Sequence, residues 1–91
     1  SKDKGAVIDF FRNLQETVCD QNEKLKTAQT EEGHLINILN TIQREIHTLK
    51  SEAGILELTV FQTMLHDFEE KLNEIINSKI PASIITIFII I

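Results

Sequence analysis

Three imidazoles (His34, His47 and His66) and one thiol (Cys19) are the side chains of this 91-residue sequence best suited to nucleophilic or metal chemistry. A metal site on a helix needs ligands three or four residues apart, so that they project from one face. Only His66 meets that spacing, with Glu69 or Glu70. One imidazole and one carboxylate are a common accident of helical sequence, and no metal ligand is assigned. Cys19 stands beside Asp20, whose charge disfavours the reactive thiolate. A lone cysteine forms no internal disulfide and no metal-binding pair. The sequence has no glycine-rich phosphate loop and no nucleophile elbow. It therefore yields no catalytic residue and no cofactor-binding residue, and the expectation is a protein that is not an enzyme and carries no cofactor.

The elements that position these residues are read from a periodic apolar seam. Val7, Phe11, Leu14, Val18, Gln21, Leu25, Ala28, Glu32, Leu35, Leu39, Ile42, Ile46, Leu49, Ala53, Leu56 and Val60 follow one another in alternating steps of four and three. All are apolar except Gln21 and Glu32, in a chain that is 42% hydrophobic. A period of 3.5 held this long is the pattern of helices that supercoil around one another. His34 and His47 fall outside the seam, on the solvated side. Replacing His47 by Ala is accordingly expected to change stability by less than about 0.5 kcal/mol. Gln21 suits a register-setting polar position. Glu32 is harder to bury, so the stretch from Gln21 to Gly33 is the candidate flexible point.

No proline interrupts residues 6–79. As one helix these residues would span about 110 Å. Two segments could break such a rod: Thr30-Glu31-Glu32-Gly33 and Ser51-Glu52-Ala53-Gly54, each combining a capping-type residue, acid and glycine. Breaks at both would give three helices in an antiparallel bundle. The unbroken heptad phase favours the rod. Beyond Leu56 a displaced series begins, with Leu58, Phe61, Leu65, Phe68, Leu72 and Ile75 flanked by Ile55, Val60, Met64 and Ile76. This stripe is too wide for a two-stranded seam and suits a layer of three or four helices.

Residues 80–91 contain Pro81 and a run dominated by isoleucine, too short for a membrane span. They read as an adventitious segment, a pairing strand or the start of a tail anchor. The net charge of −5 excludes the clustered basic face of a nucleic-acid binder. Residues 1–30 are balanced, whereas 31–79 carry four basic residues against nine acidic ones. The single cysteine suits an intracellular compartment (cytoplasm, cytoskeleton or nucleus).

The seam over residues 7–76 resembles the coiled-coil segments of eukaryotic cytoskeletal, centrosomal, kinetochore and meiotic-chromosome scaffolds. That resemblance rests on shared physics and identifies no single family. The expected fold is all-α: a long, mainly continuous helix forming a parallel coiled coil, with a wider bundle layer near its C-terminal end. Its parts are a polar lead-in at 1–5, a rod at 6–54, the wide-stripe segment at 55–79 and the tail at 80–91. The expected function is oligomerisation and scaffolding, with the chain itself and other helical proteins as partners, and neither nucleic acid nor membrane. Leu14, Val18, Leu25, Leu35, Leu39, Ile42, Ile46, Leu49 and Leu56 would carry the seam. Phe61, Leu65, Phe68 and Leu72 would bind a partner. Three rivals stay open: a tether like the SNARE proteins, a monomeric three-helix protein-binding bundle, and the dimerising segment of an enzyme.

Overall fold

Asp3 sets the start of the first helix. Its carboxylate accepts the Ala6 N–H at 3.0 Å and its carbonyl accepts the Val7 N–H at 3.1 Å, satisfying donors that a helix start leaves unpaired. In the computed structural model, which describes residues 3–28 and 32–78, three α-helices follow one another: α1 (Lys4–Thr27), α2 (Glu32–Ile55) and α3 (Thr59–Asn77). No strand occurs among the described residues. The principal extents of 44 × 22 × 19 Å correct the expectation of a continuous rod, which would need more than twice that length. The described residues form a three-helix bundle.

Why the rod fails is visible at both turns. The α1 helix ends at Thr27, inside the stretch read as flexible, and the Ala28 N–H closes it on the Lys24 and Leu25 carbonyls. From Ala28 to Glu32 is a step of four, the same as one helical turn, so leaving the helix there does not disturb the heptad phase. Phase continuity was therefore no evidence of helix continuity. The Ile-rich tail lies outside the described residues.

The second turn lies beyond Gly54, which stays helical. The Glu57 N–H reaches the Gly54 carbonyl at 3.1 Å and the Leu58 N–H reaches the Ala53 carbonyl at 2.8 Å. These two bonds form a Schellman closure. Glu57 takes the left-handed position at φ 61°, where glycine is the usual residue. A Cβ at Gly54 would stand 2.7 Å from the Gln62 side-chain nitrogen, the far end of a flexible, exposed side chain that can move aside.

The seam folds inward on its own chain. Leu35, Leu39, Ile42, Ile46, Leu49 and Ala53 of α2 are buried against Phe10 and Leu25 of α1, Ala28 at its C-terminal cap, and Leu65 and Leu72 of α3. Leu14 and Leu56 pack at the edge of this core, while Val18 is exposed. A 3.5-residue pattern buries the same stripe whether the covering helix belongs to another chain or to the same one. The displaced series after Leu56 belongs to α3, a separate helix with its own phase. Its Leu65 and Leu72 enter the core, Phe61 half-buries, and Phe68 stays exposed. Phe11 and Phe61 meet edge to face, with ring centroids 4.9 Å apart, and tie α1 to α3.

Candidate functional site

The α2–α3 hairpin brings together three polar side chains that lie apart in sequence. His47 and Lys50 stand three residues apart on α2, hence on one face, and Glu69 faces them from α3. Lys50 Nζ donates to Glu69 Oε1 at 2.5 Å, and His47 Nδ1 lies 2.8 Å from Glu69 Oε2. One carboxylate thus engages both basic groups, one on each oxygen. Nearby, Gln43 Nε2 donates to Asn73 Oδ1, a second polar tie between the same helices.

Burial grades this cluster. The Glu69 side chain is 13% exposed and Lys50 21%, whereas His47 is 60% exposed. The carboxylate is sheltered and the imidazole that it holds is open to solvent. The Lys50 ammonium, first, and the His47 contact, second, hold the Glu69 carboxyl below its usual range, against an opposing contribution from desolvation. An ionised carboxylate only accepts hydrogen bonds, so Nδ1 of the neutral ring carries the proton and Nε2 keeps its lone pair. No described residue bonds Nε2. The arrangement holds the ring through Nδ1 and presents its Nε2 side to solvent. Gln43, Arg44 and Thr48 border it on a shallow surface.

The other sequence candidates lie apart from this cluster. His34 is exposed near the start of α2. His66 Nε2 lies 3.1 Å from Glu70 Oε1, while Glu69, its other spaced partner, is turned to α2. His66, Asp67 and Glu70 could approach a common ion, but all three are exposed. Cys19 is exposed on α1. Lys50 binds Glu69 of its own chain. Glu45 Oε1 is buried without a partner among the described residues.

Sequence reasoning placed His47 on the solvated side and stopped there. The signal it passed over was the His47-Thr48-Leu49-Lys50 run, two basic groups on one outer face with Arg44 a turn earlier, within the acidic half of the chain. Glu69 carried no such mark, since its pairing depends on how α3 docks.

Comparison with known proteins gives the cluster its context. No curated protein and no solved structure matches the chain. The family model for the Hpt domain matches residues 9–84. This match overturns the coiled-coil oligomerisation and scaffolding function expected from the seam, as the fold overturns its rod. No described helix is long and apolar enough to cross a membrane. Hpt domains are phosphotransfer carriers that interact with histidine kinases and response regulators, so protein partners are retained from the sequence reading. The chain belongs to the Hpt domain family, helical phosphotransfer modules of two-component signalling.

Proposed function

We propose that the chain carries a phosphoryl group on Nε2 of His47. The observation that supports this most directly is the Glu69 bridge: one sheltered carboxylate holds Nδ1 of an exposed imidazole at 2.8 Å and Lys50 at 2.5 Å. His34 and His66 have no comparable cross-helix support among the described residues.

The step follows from that geometry. The Nε2 lone pair attacks the donor's phosphorus and forms an N–P bond. The bond from phosphorus to the donor atom breaks, and its electron pair leaves with that atom. The ring acquires positive charge while Nδ1 keeps its proton, and the Glu69 carboxylate lies against that proton as the charge grows. Lys50 offsets the carboxylate and places a cation one turn from the phosphoryl oxygens. Onward transfer reverses the sequence: an acceptor oxygen bonds to phosphorus, the N–P bond breaks and its electrons return to Nε2.

An exposed histidine on a helix face, bordered among the described residues by a shallow surface, suits a carrier whose reaction is completed against the site of a protein partner. In this reading the donors and acceptors are histidine kinases and response regulators, the setting is cytoplasmic, and the chain itself is not an independent catalyst.

Phosphoramidate, a small phosphoryl donor, tests the assignment on the isolated chain by ³¹P NMR. One acid-labile, alkali-stable phosphohistidine is expected in the unmodified protein. It should be absent in His47→Gln and retained in His34→Gln and His66→Gln. Retention of the signal in a folded His47→Gln variant would overturn the proposal.

A further inference from the structure

Arg44 stands three residues before His47 on α2, so the two share a helix face one turn apart. Helical side chains lean towards the N-terminus, which carries the His47 ring over the turn that bears Arg44. Both residues, with Gln43, Thr48 and Glu69, line the same shallow surface. Arg44 is exposed, and its Nη2 donates to the Thr41 hydroxyl at 3.1 Å. Arg12, Lys24 and Lys26 each hold an acidic residue of their own helix, and Lys50 holds Glu69. Arg44 has no carboxylate partner among the described residues.

The two cations that flank His47 are therefore not equivalent. Lys50 is 21% exposed, and its ammonium lies 2.5 Å from the sheltered Glu69 carboxylate. Drawing it away would leave that carboxylate uncompensated, which is costly. Arg44 gives up only a solvent-exposed bond to a neutral hydroxyl. A phosphoryl oxygen is an ionised acceptor, and a guanidinium can hold two of them with parallel N–H bonds. We propose that Arg44 swings from Thr41 to the phosphoryl group on Nε2 of His47 and holds its oxygens. The inference rests on the reading of His47 as the phosphorylated residue. The phosphoryl group brings negative charge and three acceptor oxygens to the ring nitrogen that Glu69 does not hold. Glu69 and Lys50 together support Nδ1, and Arg44 supplies the counter-charge at Nε2. The guanidinium stays protonated and forms no covalent bond, so the transfer step itself is unchanged.

The full chain, phosphorylated with phosphoramidate, is titrated with pH and followed by ³¹P NMR. A guanidinium against the phosphoryl oxygens favours their fully ionised form. The phosphohistidine midpoint in Arg44→Gln should therefore lie at higher pH than in the unmodified chain, by about 0.2–0.7 units for an exposed ion pair. Arg44→Lys should fall between the two. Arg12→Gln removes the same charge from an exposed position on α1 and should leave the midpoint where it is. In the unmodified chain, the Arg44 Nε–H signal should shift on phosphorylation while that of Arg12 stays in place. An Arg44 signal that does not move overturns the inference, even where Arg44→Gln fails to react. So does an equal midpoint in Arg44→Gln and the unmodified chain, or a shift as large in Arg12→Gln. These outcomes leave phosphorylation of His47 intact, whereas an unmodified chain without a phosphohistidine signal removes that reading and this inference with it.

Discussion

Lys50 and Glu69 lie 19 residues apart in sequence and 2.5 Å apart in space, and their contact fixes the second oxygen of the same carboxylate against His47. Removing the cation alone as Lys50→Met leaves a largely buried carboxylate without its main partner. A loss of about 1–3 kcal/mol is expected in urea unfolding at neutral pH. An unchanged midpoint would mean that water replaces Lys50 at little cost.

The same contact sets a direction for stability against pH. The folded-state Glu69 carboxyl ionises below its ordinary value of about 4.5, chiefly because of Lys50. Its contribution is therefore fully present above that value. As pH falls below it, the unfolded state takes up the proton first, and the contribution is lost as pH passes through the lower folded-state value. Thermal melts over this acid range should fall more steeply for the unmodified chain than for Glu69→Gln.

The carboxylate charge facing Nδ1 is what Glu69→Gln removes from the reaction, because the amide oxygen can still accept the hydrogen bond. Phosphorylation of His47 should slow by about tenfold, in line with the loss of a supporting group behind a reactive imidazole. Nitrogen-15 spectra of the imidazole should show a larger share of the tautomer protonated at Nε2. An unchanged tautomer ratio with an unchanged rate would remove Glu69 from its positioning role.

Glu57 holds a left-handed conformation at φ 61° in the α2–α3 turn. Replacing it by Gly relieves the strain between Cβ and the following carbonyl, offset in part by the greater freedom of the unfolded chain. A net gain of about 0.5–1 kcal/mol is expected, read as a higher denaturation midpoint with unchanged slope.

The legibility of this chain divides along physical lines. All-α content was readable, because Leu35, Leu39, Ile42, Ile46 and Leu49 obey a period that only a helix satisfies. The fault between the seam and the Phe61 series was readable too, although it marked a new helix and not a widened coil. What covers the seam was not readable, since Leu39 meets the same chemistry in a partner chain or in its own α1 and α3. The three-helix alternative held the right architecture and lost to a phase argument that a four-residue step defeats. The cluster was half legible. His47 and Lys50 share a helix face by arithmetic, whereas Glu69 joins them only through the docking of two helices.

The Phe11–Phe61 contact is one of few ties between α1 and α3, whereas α2 and α3 share the larger interface and the whole His47–Glu69–Lys50 cluster. The bundle is thus built as a hairpin plus a lid helix, and the two should open with different free energies. Backbone amides of α1 should exchange with deuterium ahead of those in the Leu39–Leu49 region, and Phe11→Ala should widen that gap. The hairpin can then keep its imidazole aimed while α1 loosens, so a partner that grips or releases α1 could change the molecule's shape without resetting the reactive nitrogen.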